Sequence, residues 1–408
     1  TISGLLFNFN KKINFYDGFR KPSESPDARK IWDSQRLTDP STGKLPNNIH
    51  SKEIAFAQTL PNDIGSNMLN WIKEGPFNVG GRTRALAIDI TDENILLAGG
   101  ASGGIWRSTD QGQSWDKMTR HFQLHNVTCI EQDQRSGKEN IWYHGTGELS
   151  GSSAGGGDAY FDGNGIYKSI DGGITWDSIP STADNNAAGS FNPWDFIWNI
   201  ALDPSNNTED ELYCATYGSI HRSVDGGLSW TQMLGGGSAY YNNVEVTSNG
   251  VVYATLSSDG TDKGIWRSVD GLSWNRIQPI TFPQVYGRAA IGINPSNENE
   301  VYFIAAETTN YGQHTNIFFN RETWTSLWKY EYLSGDGTGA GGRWTDLSAN
   351  IPANYPASFD NLARRTNSSC CSFLALSSSL AAAAAAAASS AFILFSFFTL
   401  SNSSNSLV

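Results

Sequence analysis

The sequence predicts an all-β chain folded as a propeller of four-stranded blades, and three observations carry that reading. A turn of the form Ser-x-Asp, then Gly, then Ser or Thr followed by Trp recurs four times at intervals of 45 to 61 residues. Short apolar or aromatic runs of strand length flank every copy. Glycine is abundant at 42 residues and aromatics reach 12%, while charged residues stop at 17%, a mixture that suits short strands and tight turns better than helices.

The four turns run Ser108 to Trp115, Ser169 to Trp176, Ser223 to Trp230 and Ser268 to Trp274, the last one residue short. Their structural residues are Asp110 and Trp115, Asp171 and Trp176, Asp225 and Trp230, and Asp270 and Trp274. Aspartate accepts hydrogen bonds from the turn's own N–H groups, glycine supplies positive φ, and tryptophan packs as an apolar peg. A fifth, interrupted copy starts at Ser334 and ends at Trp344. Upstream of each turn lie two further strand-like runs: 84–90 and 95–99, 127–132 and 141–143, 196–202 and 211–215, 244–247 and 251–255, and 289–293 and 300–304. Turn signals such as Asp203-Pro204-Ser205-Asn206 split these pairs. Five blades are thereby accounted for between residues 79 and 347, each about the size of a four-stranded unit with variable loops.

A propeller closes when one terminus donates a strand to a blade made mostly by the other. Trp71-Ile72-Lys73 repeats the opening of the outer strands without a turn before it, so residues 66–78 are read as that donated strand of a propeller spanning 66–365. The ring then needs inner strands from beyond Leu347, giving at least six blades, with seven or eight also open. Residues 1–65 form an arm with two short helices, one capped by Ser25 and running to about Leu37, the other capped by Asn48 and running from Ile49 to Leu60. Residues 366–408 stand apart, with no charge after Arg365 and uninterrupted alanine from 381 to 388. An apolar span of bilayer length and a stand-in for the remaining propeller strands are the two readings; the second is preferred, no membrane span is read from it, and no chemistry is assigned to it.

The formal charge of −12, with no cluster of Lys and Arg, argues against a nucleic-acid partner. Six histidines without paired spacing and four cysteines without a Cys-x-x-Cys leave no metal site to predict, and no cofactor is expected. Cys129 and Cys214 sit singly inside strand-like runs, as small core residues do.

The repeats resemble the BNR or Asp-box superfamily of propellers, which includes sialidases, xyloglucanases, sortilin-type receptors and a photosystem assembly factor. The phrase from Trp71 to Ala85, followed by Ala98 to Arg107, is similar to the sortilin-like secreted propellers of Bacteroidetes, many of which end in a type IX secretion sorting domain. That resemblance covers about residues 25–350. It implies an Asp-box β-propeller, a secreted or cell-surface location, and secretion machinery as a partner. Xyloglucanases resemble the chain around the first blade, where they carry an acid before a Val-Gly-Gly-Ala-Tyr-Arg phrase; Ala101 stands at that position here.

Loops joining blades, and loops between second and third strands, emerge on the face opposite the repeated turns, so a site is sought there. Binding candidates on that face are Arg82, Arg84, His125, Tyr160, Trp194, Trp198, Tyr240, Tyr241 and Arg288. Catalytic candidates are Glu148, Asp158, Asp162 and Asp195, since glycoside hydrolysis needs two carboxylates. Arginines, carboxylates and aromatic faces are what a sugar or an acidic peptide meets. With one xyloglucanase acid replaced by a methyl group, the leading expectation is a non-enzymatic propeller that binds a protein or polysaccharide ligand on the bacterial surface. The alternatives are a glycoside hydrolase acting on extracellular glycans, sialidase- or xyloglucanase-like, and cargo or a structural component of a surface or secretion assembly.

Overall fold

A computed structural model describes residues 38–44, 49–60, 81–120, 123–149, 161–183, 192–237, 239–306, 308, 311–316 and 321–351. One helix, α1 (Ile49–Thr59), matches the second helix expected of the arm. The first expected helix, the donated strand at 66–78 and the tail at 366–408 lie outside the described residues.

The described chain from Arg82 onward is a β-propeller of successive antiparallel sheets. The first blade is β1 (Thr83–Ile88), β2 (Leu96–Gly100), β3 (Gly104–Ser108) and β4 (Asp116–Lys117). The second is β5 (Val127–Gln132), β6 (Trp142–Thr146), β7 (Ile166–Ser169) and β8 (Asp177–Ser178). The third is β9 (Ile197–Leu202), β10 (Leu212–Thr216), β11 (Ser219–Ser223) and β12 (Thr231–Gly235). The fourth is β13 (Asn242–Val246), β14 (Val252–Leu256), β15 (Gly264–Ser268) and β16 (Trp274–Arg276). In the fifth, β17 (Ala289–Ile293) and β18 (Glu300–Ala306) are followed by β19 (Gln313–Asn316), β20 (Arg321–Tyr332) and β21 (Gly342–Asp346). The start of β20 pairs with β19, and the rest of it completes the order β17-β18-β20-β21, so β19 and the start of β20 add a pair of strands to this blade.

Each blade runs in chain order from its first to its fourth strand, and the first strands neighbour one another: β1 beside β5, β5 beside β9, β9 beside β13, β13 beside β17. The sheets therefore stack face to face around an axis lined by first strands. Close stacking requires small residues on the second strands. A Cβ on Gly99 of β2 would fall 2.4 Å from Val127 Cγ1 of β5, and one on Gly145 of β6 would fall 2.4 Å from Ile197 Cγ2 of β9.

The repeated turns join third to fourth strands, with the hydrogen bonds the sequence implies. In the first blade Ser108 Oγ donates to Asp110 Oδ1, Ser114 N donates to the same oxygen at 2.8 Å, and Ser114 Oγ donates to Asp110 Oδ2 at 2.6 Å. The same set recurs around Asp171 and Asp225. Tryptophan does more than fill space: the indoles of Trp115, Trp176 and Trp230 donate to the carbonyls of Gly112, Gly173 and Gly227, closing the turn on itself. In the shortened fourth turn Asp270 still accepts from Leu272 and Ser273, but Trp274 Nε1 has no hydrogen-bond partner among the described residues. One missing residue removes the carbonyl from reach. Gly173, at φ +81°, also approaches Leu97 of the preceding blade so closely that a Cβ would meet Leu97 Cδ2 at 2.4 Å, so the turn is mortar between blades as well as a hairpin link.

These bonds favour the ionised carboxylates. The Ser114 hydroxyl and N–H hold Asp110 at about 2, and the Ser273 and Leu272 N–H groups hold Asp270 at about 2. Burial pushes Asp171 and Asp225 upward, yet bonds from Thr175 and Ser229 outweigh it and leave both below the usual range. A carboxylate whose folded pKa is depressed stabilises the fold above its unfolded pKa and loses that contribution as pH falls through the folded value. Urea midpoints are therefore expected to fall between about pH 4 and pH 2, and Asp→Asn at all four positions should flatten that limb. An unchanged acid limb in the quadruple variant would refute the assignment.

Candidate functional site

The face opposite the repeated turns gathers most of the expected residues, and Glu148 is its anchor. It follows β6, at the base of the long second-to-third-strand loop, where its N–H and C=O pair with Phe161 across an isolated bridge. Its carboxylate accepts a two-pronged bond from Arg82, Nη1 to Oε1 at 2.5 Å and Nη2 to Oε2 at 2.7 Å, and a third from Arg84 Nη1 at 2.8 Å. The side chain of Glu148 is 0% exposed and that of Arg84 1%, whereas Arg82 keeps 32%. The chain order explains this triangle: the β1 end carrying the arginines and the β6 end carrying the glutamate rise on the same face of adjacent blades.

Arg84 reaches inward over Trp198 of β9, its guanidinium 6.0 Å from the ring centroid, and Arg288, just before β17, lies over the same indole at 5.3 Å. Trp198 Nε1 donates to Tyr240 O at 2.7 Å, and its ring meets Tyr241 at 5.2 Å. Arg82, Arg84, Glu148, Trp198, Tyr240, Tyr241 and Arg288 thus form one connected group.

Other expected residues take different places. Asp195 is buried and closes a capping box with Asn192 ahead of β9, while its carbonyl accepts from Gly163 N, tying the third blade to the second-blade loop. Asp162 is half-buried in that loop, and its carbonyl accepts from Asn126 Nδ2. Trp194 packs between His221 and Trp230, in the seam between the second and third blades. His125 faces Lys117 of the outer strand β4 and the Arg120 carbonyl. Asp158 and Tyr160 lie outside the described residues. Ala101, where xyloglucanases carry an acid, is buried and donates its N–H to Arg82 O.

Two carboxylates were missed. Glu131 on β5 and Glu245 on β13 stand on first strands either side of β9, whose Asn199 Nδ2 lies 3.3 Å from Glu245 Oε1. Burial raises Glu245 to about 8, partly offset by Arg288; burial, then repulsion from Glu245 and Asp133, pushes Glu131 well above the usual carboxylate range. A charged residue inside an apolar inner strand is the signal that could have exposed them. Tyr217, edge-on to Tyr240 at 5.4 Å, was also missed. Among the described residues no group of three or more His, Cys, Asp and Glu is arranged to hold a metal ion, and no helix is long and apolar enough to cross a membrane.

Fold and site define a β-propeller with a charged and aromatic loop face. No family model matches the chain. It is 25% identical over 289 residues to a xyloglucanase of Paenibacillus sp, covering 60% of this chain and 26% of that protein. It is 25% identical over 288 residues to a xyloglucanase of Acetivibrio thermocellus, covering 60% and 32%. Among solved structures it is similar to a GH74 enzyme of Niastella koreensis, with a TM-score of 0.45, 19% identity, and coverage of 65% of this chain and 38% of that one. The chain spans about a quarter to a third of the length of these curated relatives. They carry an enzyme's name, not that of the sortilin-like propellers the Trp71 to Ala85 phrase resembles. That overturns the expectation of a non-enzymatic binding propeller and favours its glycoside hydrolase alternative. The neutral Ala101 does not exclude that alternative, because loops from several blades meet on the same face and can each carry an acid.

Proposed function

We propose that this chain is the propeller of a glycoside hydrolase acting on a β-glucan of the xyloglucan type. The observation that carries the reading is the similarity to xyloglucanases over 60% of the chain, and carboxylates and aromatic rings on one loop face support it. Glu148 has both oxygens occupied by arginines and no exposed side-chain surface, so it acts as a positioning residue that aims Arg82 at the face. Asp195 is committed to its cap. Asp162, half-buried in the loop that Glu148 anchors, is proposed as one of the two catalytic carboxylates. A β-glucan polymer does not cross membranes unaided, so the proposed place of action is outside the cell and the proposed partner is a polysaccharide.

Release of reducing ends from xyloglucan, mixed-linkage β-glucan and a sialoside tests the proposal. Xyloglucan is expected to be cut, and Asp162→Asn to lower kcat by roughly 100-fold or more. No release from any glucan would overturn the function; full activity in Asp162→Asn would overturn its role.

A further inference from the structure

Tyr240 and Tyr241 are held differently from the rest of the loop face. Tyr240 is hydrogen-bonded through its backbone: its N–H donates to Asp259 Oδ2 at 3.2 Å and its carbonyl accepts from the Trp198 indole at 2.7 Å. Tyr241 is pinned the same way, its N–H donating to Ser257 Oγ at 3.0 Å and its carbonyl accepting from Ser257 N at 2.9 Å. Ser257 Oγ in turn donates to Asp259 Oδ1. The dipeptide is therefore clamped between the third blade, through Trp198, and the fourth, through the loop after β14. With the backbone fixed, the rings are presented at little entropic cost. Tyr240 is 36% exposed and stands edge-on to the half-buried Tyr217, while Tyr241 leans on Trp198.

We infer that Tyr240, backed by Tyr217 and flanked by Asp259, is a stacking subsite for a neutral pyranose of a β-linked glucan. The inference rests on the proposed function and deepens it. An aromatic ring that is partly exposed on an anchored backbone suits a sugar ring with a flat C–H face. Charge selects against acidic glycans: the Asp259 carboxylate is held on the Tyr240 N–H, and the whole chain carries −12. The subsite adjoins the arginine cluster because Trp198 is their common wall, with Arg84 and Arg288 over its ring and Tyr241 against it.

The test uses the full chain with cello-oligosaccharides and xyloglucan oligosaccharides as probes, followed by calorimetry and steady-state kinetics. Tyr240→Ala removes a ring and none of the backbone anchors, so thermal stability should hold while oligosaccharide affinity falls about 5- to 10-fold. Tyr240→Phe should stay within about 2-fold of the parent, since stacking survives loss of the hydroxyl. Oligogalacturonate should bind more weakly than the neutral probes. Unchanged affinity in Tyr240→Ala, or tighter binding of oligogalacturonate, would overturn the subsite. The two proposals fail separately: Tyr240-dependent binding without hydrolysis removes the enzyme and keeps the subsite, whereas hydrolysis with KM unchanged in Tyr240→Ala removes the subsite and keeps the enzyme.

Discussion

Replacing Glu148 by leucine is expected to lower the stability of the propeller by about 3–5 kcal/mol, read as a shift of the urea midpoint at constant slope. The pair it breaks is among the most enclosed in the described residues, with 0% and 1% of the Glu148 and Arg84 side chains exposed. Leucine nearly matches the volume but strips two guanidiniums of their shared carboxylate, so the cost comes from uncompensated charge rather than from a void. Arg82, with 32% exposed, can turn to water; Arg84 cannot. Glu148→Gln keeps an acceptor and should fall between parent and leucine variant. The bridge to Phe161 is made by backbone, so the damage should concentrate where Arg84 meets Trp198. A leucine variant within about 0.5 kcal/mol of the parent would show that the arginines find other partners at no cost.

The second large effect is expected at Gly145. A methyl group there would lie 2.4 Å from Ile197 Cγ2 and 2.8 Å from Cys129 Sγ, so β6 and β9 must separate to admit it. Interiors pack too tightly to absorb such a shift, and Gly145→Ala is expected to cost on the order of 1–3 kcal/mol. Trimming the opposing side chain supplies the test: Ile197→Ala alone opens a cavity, but combined with Gly145→Ala it should recover part of the loss, giving a coupling of roughly 1 kcal/mol or more. Strict additivity would mean that the blades are not in contact at this point.

Glu245 imposes the opposite pH trend from the turn aspartates. Its folded pKa of about 8 lies above the ordinary carboxylate value, so the neutral acid is favoured within the fold. The associated stability is present below the unfolded pKa and is lost as pH rises toward 8. The turns therefore lose stability toward acid pH and the axis loses it toward alkaline pH.

The repeated turn made the blades legible because its chemistry is local: serine, aspartate, glycine and tryptophan satisfy one another within eight residues. Inner-strand positions followed from runs of apolar residues, and 127–132 and 289–293 coincide with β5 and β17. The indole hook onto a glycine carbonyl and the close approach of Gly145 to Ile197 were not legible, since both depend on atoms brought near by folding. The same holds for function. Composition and spacing put Arg82, Arg84 and Glu148 on one face, but only the stacking of the first two blades made them an ion cluster around an enclosed carboxylate, the arrangement on which the positioning role proposed for Glu148 rests. Glu131 and Glu245 lie 114 residues apart in the chain, and Glu131 feels the charge of Glu245 because first strands crowd around one axis. Short-range hydrogen bonding is written in consecutive residues, whereas burial, and the charge interactions it strengthens, exists only once distant strands exclude water from between them.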